Sequence, residues 1–108
     1  MIRKIRVNEL NNYIDKEIVF SGFVDAIRDK KWVMFVILRD AVGKVQMTIE
    51  KSDENNASLL EIMNNTTVES TVKVTCKVVK NEAVKLGGIE LIPSDIVVTS
   101  KADTLPFD

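Results

Sequence analysis

The stretch FVILRDAVGKVQ, residues 35–46, begins with an aromatic ring, Phe35, and ends with a side-chain amide, Gln46. An aromatic face can stack on any nucleobase, whereas an amide offers hydrogen-bond donors and an acceptor to the edge of a base. Base binding would require the fold to bring both side chains to one surface. The question is therefore which elements carry Phe35 and Gln46, and which way each side chain points.

Alternating apolar and β-branched residues predict five strands, the fourth with Val68, Val72, Val74, Cys76 and Val78 on one face. The predicted strands cover residues 17–28, 33–39, 44–50, 67–80 and an interrupted last strand, 89–92 and 96–100, bent at Pro93. Gly22 predicts a bulge or a sharp bend in the first strand. The segments 29–32, 40–43 and 81–88 are predicted to be turns or loops.

Two segments are predicted to be helical. Residues 7–14 indicate a short N-terminal helix with Asn8 as a candidate N-cap. Residues 51–65 change to a helical pattern behind Ser52 and Asp53, both candidate caps. Three strands, a helix and two further strands are the order of the OB-fold, an all-β five-stranded Greek-key barrel with a helix between strands three and four. A small immunoglobulin-like sandwich is the competing topology, and it would need more strands and no helix after the third.

Side-chain alternation assigns the faces of the second and third strands. In the third strand the polar phase, which includes Gln46 and Thr48, is predicted to face solvent. In the second strand the phase of Met34 is predicted to face the core, so that Phe35 faces outward on the same side as Gln46. An exposed aromatic is often ordinary surface, but one beside an amide, with Arg28 and Arg39 near, is typical of a base-stacking platform.

Composition excludes several classes of function. The 108 residues include no histidine and one cysteine, Cys76, so we expect no disulfide, no metal site, no cofactor and no active site of the chain's own. The sequence shows no signal peptide and no apolar run of membrane-spanning length, which favours a cytoplasmic protein. Residues 1–51 carry a net charge of +3 and residues 52–108 a net charge of −4, so a polyanion should prefer the first half, although ordinary scatter explains this asymmetry equally well.

Two motifs in these elements resemble those of a known family. SGFVDAIRDKKWVMFVILRDAVGKVQMTI and KLGGIELIPSDIVVTSKADTLPFD are similar to the N-terminal anticodon-binding domain of class IIb aminoacyl-tRNA synthetases. The positions that fit the first motif are Gly22, Phe23, Val24, Arg28, Asp29, Phe35, Leu38, Arg39, Asp40, Gly43, Val45 and Gln46. The resemblance spans residues 5–108, and it is strongest to archaeal-type aspartyl-tRNA synthetases, with asparaginyl enzymes next.

The resemblance implies a partner, the anticodon loop of a tRNA, and roles for individual residues. Phe35 would stack on a central uridine, Gln46 would hydrogen-bond its edge, and Arg28 would contact that base or a neighbouring phosphate. Glu90 would read a flanking base. The residues expected to bind the RNA backbone or assist are Lys30, Lys31, Arg39, Lys44 and Trp32. The resembled enzymes also suggest a homodimer.

The sequence departs from the family pattern at three places. The turn before the second strand, usually glycine-rich, is DKKW, where Trp32 either stacks on a third base or, the favoured interpretation, covers the barrel end. Gly87 and Gly88 insert one residue ahead of Glu90. The catalytic domain of the family is absent, so residues 1–108 are predicted to form a single anticodon-binding domain that is no enzyme by itself, either excised from an aspartate– or asparagine–tRNA ligase or a stand-alone relative. A generic single-strand-binding protein and a protein–protein interaction module are the alternatives.

Overall fold

Five strands close into a barrel in the order β1-β2-β3-β5-β4 in the computed structural model, which describes residues 5–101. The strands are β1 (Glu17–Asp29), β2 (Val33–Arg39), β3 (Lys44–Glu50), β4 (Thr71–Lys80) and β5 (Ile89–Ser100). A 3-10 helix, Val7–Tyr13, precedes β1. A 3-10 turn, Glu54–Asn56, and helix α1, Ala57–Asn64, lie between β3 and β4. This is the predicted OB-fold, and the sandwich alternative is wrong.

The barrel core follows from the alternation of apolar residues. In β2 the side chains of Met34, Val36 and Leu38 are buried, and in β3 those of Val45 and Met47 are fully buried. Burying one apolar face of every strand in a shared interior is the main stabilising contribution to such a fold. The predicted inward phases of β2 and β3 are confirmed, so Phe35 and Gln46 lie on the outer face of the sheet.

β1 contains a bulge, but at Asp25 rather than at Gly22. The pairing of β1 with β2 runs through Val24 opposite Leu38 and then skips to Ala26 opposite Ile37. A bulge adds one residue to a strand and thereby reverses which of the following side chains face inward. Gly22 has a different role, because a Cβ atom there would lie 2.6 Å from the backbone oxygen of Arg39.

Other local predictions were wrong at element ends. β4 begins at Thr71, so Val68 lies outside the strand and is half exposed. The first helix begins at Val7, whose backbone N–H donates to the Asp40 carboxylate at 2.9 Å, and Asn8 is not its cap.

β5 is continuous through Pro93, although its register with β4 shifts there. Asp53 does cap, since its carboxylate accepts from the N–H of Asn55. Residues 102–108 of the second motif lie outside the described residues.

Cys76 lies in the core, as its strand phase predicted. Burial, with a smaller contribution from the nearby charge of Glu17, raises the pKa of its thiol to about 12. The thiol is therefore protonated and behaves as a small apolar side chain at neutral pH.

Between residues 5 and 101, no helix has the length and apolar character needed to cross a membrane.

The close approach at Gly22 gives a prediction about stability. Gly22→Ala should lower the free energy of unfolding by about 1–3 kcal/mol, because the new methyl group would push against a backbone oxygen that cannot rotate away. Urea denaturation measures the loss. Gly43→Ala is the control, since its methyl group would meet only side-chain carbons of Val7, the nearer at 3.1 Å, and should cost less. Equal losses in the two variants would contradict the role assigned to Gly22.

Candidate nucleic-acid interface

A groove of about 600 Å³ lies on the outer face of the barrel, over β1, β2, β3 and the start of β5. The loop 81–88 forms one wall. The four residues predicted to contact bases, Arg28, Phe35, Gln46 and Glu90, all line this space, which we call the binding groove. The structure thus brings together the side chains that the sequence singled out, while their contacts with RNA stay predictions.

Strand register sets the positions of these side chains. Phe35 on β2 lies between Arg28 on β1 and Thr48 on β3. The next outward-facing row places Gln46 opposite Ile37 on one side and Glu90 on the other. Phe35 and Gln46 are therefore diagonal neighbours on adjacent strands, a spacing of about 7–8 Å that aromatic and long side chains can bridge. A base lying on the Phe35 ring would have its edge within reach of the Gln46 amide.

A chain of hydrogen bonds joins three outer-face side chains. The Thr48 hydroxyl donates to Glu90 Oε2 at 2.8 Å, and Gln46 Nε2 donates to Thr48 Oγ1 at 3.3 Å. Thr48 is only 6% exposed, so the prediction that this side chain faces solvent was wrong. The inserted glycine ahead of Glu90 does not displace Glu90 from the groove, because Glu90 pairs directly with Gln46.

Arg39, predicted to contact RNA backbone, is already engaged with other protein groups. Its guanidinium lies 3.2 Å from the Asp25 carboxylate and 2.5 Å from that of Glu69, and it stacks over the Phe23 ring at 4.9 Å from the centroid. Lys44, at the rim of the groove, is 3.1 Å from the other oxygen of Asp25. Arg39 and Lys44 thus both pair with the carboxylate of Asp25, the bulge residue of β1. Arg39 does not line the groove.

Lys30, Lys31 and Trp32 lie in the β1–β2 loop and do not line the groove. Trp32 is 68% exposed, so the favoured interpretation that it covers the barrel end was wrong. Its ring is accompanied by the Lys31 ammonium group at 5.1 Å from the centroid, a cation–π geometry. The loop follows directly on the Arg28 end of β1. The predicted RNA contacts of these three side chains would therefore involve nucleotides that extend beyond the groove.

The loop 81–88 contributes groove residues that the sequence prediction missed, among them Lys85 and the buried Val84. Its shape is fixed by internal hydrogen bonds, including Asn81 N–H to Gly88 O at 2.8 Å and Gly88 N–H to Val84 O at 3.1 Å. Gly87 and Gly88 both have positive φ, a conformation that favours glycine. The Gly-Gly pair was the available signal, since it marks a tightly folded loop rather than a loose connection.

This barrel is an OB-fold with an aromatic ring and an amide on its outer face. A family model described as an OB-fold nucleic-acid-binding domain, and named for the tRNA anticodon, matches residues 18–99. The chain belongs to this family of anticodon-binding OB-fold domains.

Individual relatives agree with the family match. The chain is 34% identical to an aspartate–tRNA(Asp/Asn) ligase of Hydrogenobaculum over 90% of its own length and 17% of the ligase. It is 38% identical to the ligase of the same name from the archaeon Methanopyrus kandleri, over 86% of this chain and 21% of that protein. The crystal structure of a putative aspartyl-tRNA synthetase from Leishmania major superposes with a TM-score of 0.82 at 28% identity, over 97% of this chain and 22% of the other. The chain therefore spans about a fifth of the length of these relatives.

The different surroundings of two arginines predict different salt effects. Arg28 is exposed and lines the groove, whereas Arg39 is paired with two carboxylates. If Arg28 binds a phosphate rather than the base, Arg28→Ala should reduce the slope of log affinity against log salt by about 0.7–1 for single-stranded RNA. Arg39→Ala should change the slope less. Fluorescence anisotropy titrations at several salt concentrations measure both, and equal reductions would show that the ion pairs of Arg39 open to admit RNA.

Proposed function

We propose that this chain, residues 1–108 acting as one domain, binds a tRNA anticodon loop and recognises its central uridine. It would do so as part of an aspartyl- or asparaginyl-tRNA synthetase or as a stand-alone relative. The observation that supports this most directly is the groove in which the Phe35 ring and the Gln46 amide lie on adjacent strands of one face. Membership of the anticodon-binding family supports the choice of RNA over other ligands.

Each groove residue has a role that its chemistry suits. Stacking on Phe35 contributes affinity without base choice, since every base has a π-face. Gln46 contributes choice, because its amide can donate and accept at the edge of the stacked base. Arg28 pairs with Phe35 across β1 and β2, which supports a contact with that base or an adjoining phosphate. Glu90 pairs with Gln46 across β5 and β3, which supports a contact with the neighbouring base.

We also propose a role for this chain within a longer parent protein. The matched ligases are named for joining aspartate to tRNA, and this chain corresponds to about a fifth of their length. Ligase activity would therefore belong to a longer parent protein, in which this chain selects the tRNA in the cytoplasm. The homodimer suggested by the resemblance stays a prediction, which analytical ultracentrifugation of the chain tests.

The proposal is tested by titrating the chain with anticodon stem-loops that differ only in the central base. We expect tighter binding to a central uridine than to a central cytidine, with affinity falling as salt rises. Equal affinity for the two stem-loops would indicate a generic single-strand-binding protein. Absence of binding at low salt would indicate that the fold serves protein–protein interaction instead.

Phe35→Ala should weaken binding of the uridine stem-loop by about 1–3 kcal/mol, the usual contribution of one base–aromatic stack. The melting temperature should change little, because Phe35 lies outside the barrel core. Anisotropy titration and circular dichroism measure the two quantities. Val36→Ala is the matched control, since this neighbour is fully buried and should show the opposite pattern, lost stability without a specific binding defect in the folded fraction. A large fall in melting temperature for Phe35→Ala would contradict the platform role.

Gln46→Glu should weaken the uridine stem-loop more than the cytidine stem-loop, because a carboxylate accepts hydrogen bonds but no longer donates one to the base. An unmade hydrogen bond in a desolvated site costs about 1–3 kcal/mol, which is enough to narrow or reverse the preference. Lys44→Met is the control, since it changes the net charge by the same amount at the groove rim and should weaken both stem-loops alike. An unchanged uridine-to-cytidine ratio in Gln46→Glu would mean that this surface stacks bases without recognising them.

A further inference from the structure

A glutamine amide cannot by itself distinguish uracil from cytosine. Uracil presents an acceptor at position 4 and a donor at position 3, and cytosine presents the reverse. An amide rotated by half a turn about its last side-chain bond exchanges its own donor and acceptor, and so would match either base. Selection of uridine by Gln46 therefore requires that the rotation be prevented by neighbouring groups.

We propose that Thr48 and Glu90 are positioning residues that hold the Gln46 amide in the orientation complementary to uracil. This inference deepens the proposed function and rests on it. The three side chains form the hydrogen-bond chain described above, with Gln46 Nε2 3.3 Å from Thr48 Oγ1 and Thr48 Oγ1 2.8 Å from Glu90 Oε2.

Glu90 determines which group donates in each of the two hydrogen bonds. A carboxylate only accepts hydrogen bonds, so the single hydroxyl hydrogen of Thr48 is donated to Glu90. Thr48 Oγ1 is then left with lone pairs toward Gln46, and only the NH₂ side of the amide can satisfy them. Gln46 retains its carbonyl oxygen and its second N–H for a ligand in the groove, the pair that complements the position 3 donor and position 4 acceptor of uracil.

Rotation of the amide would set two acceptors against each other. Gln46 Oε1 would then face Thr48 Oγ1, whose hydrogen is already bonded to Glu90. Thr48 is 6% exposed, so water has little access to relieve this contact. The backbone keeps the partners in place, because Glu90 on β5 is paired with Gln46 on β3. Binding of cytosine would therefore break the partly buried Gln46–Thr48 hydrogen bond, whereas binding of uracil breaks none.

The experiment compares the chain with Thr48→Val and Thr48→Ser, using stem-loops with a central uridine or cytidine. The wild-type chain should prefer uridine by about tenfold, the equivalent of one unmade hydrogen bond. Thr48→Val keeps the shape but removes the hydroxyl, and should lower the preference to about twofold or less, chiefly by improving cytidine binding. Thr48→Ser restores the hydroxyl and should restore the preference. A purely structural role would weaken both stem-loops together and leave their ratio unchanged.

Glu90→Gln is the second variant, and it keeps the inference testable if Thr48→Val fails to fold. Its amide can donate to Thr48, which frees the hydroxyl hydrogen to bond a rotated Gln46, so the preference should again fall. A preference that survives in both Thr48→Val and Glu90→Gln but disappears in Gln46→Glu would overturn the inference alone. A wild-type chain that shows no preference would overturn the proposed function and the inference with it.

Discussion

The barrel depends on one short parallel contact, in which β3 and β5 pair through Gln46 with Glu90 and Met47 with Leu91. This contact joins the last strand to the first three and so removes the open sheet edges. Because side chains alternate across a strand, the same two pairs serve two purposes. Met47 and Leu91 are fully buried in the core, while Gln46 and Glu90 line the binding groove. The same two residue pairs therefore close the barrel and bring Gln46 and Glu90 together in the groove.

The bulge at Asp25 makes β1 part of the same surface. Before the bulge the inward side chains of β1 are even-numbered, as with Val24, and after it Ile27 packs against the core. The reversal turns Ala26 and Arg28 toward the groove. It also projects the carboxylate of Asp25 between two cations, Arg39 and Lys44. If the same residues formed a regular strand through Asp25 with no bulge, the groove face of β1 would carry the apolar side chain of Ile27 in place of Arg28.

The sequence was sufficient for the parts of the structure that depend on strand alternation. The bounds of β2 and β3 and the outward positions of Phe35 and Gln46 followed from periods of two residues and from turn residues, and the order of the elements along the chain indicated the OB-fold. The bulge was assigned to Gly22 because glycine is the commoner signal, although the shift in apolar phase at Asp25 was readable. Side-chain contacts between different elements could not be predicted from the sequence. Neither the burial of Thr48 nor the pairing of Arg39 with Glu69, 30 residues away, leaves a local sequence pattern.

Charges around the groove nearly cancel, and this shapes what the site can contribute. The described lining residues include three cations, Arg28, Lys44 and Lys85, and two carboxylates, Asp25 and Glu90. Phosphate attraction, which supplies most sequence-independent affinity for nucleic acids, is correspondingly small. A site of this kind gains a larger share of its binding energy from stacking and from oriented hydrogen bonds, both of which depend on the base. Under the proposed function, the chain would therefore contribute more to discriminating between anticodons than to holding RNA tightly, and much of the affinity for a whole tRNA would come from surfaces beyond this domain.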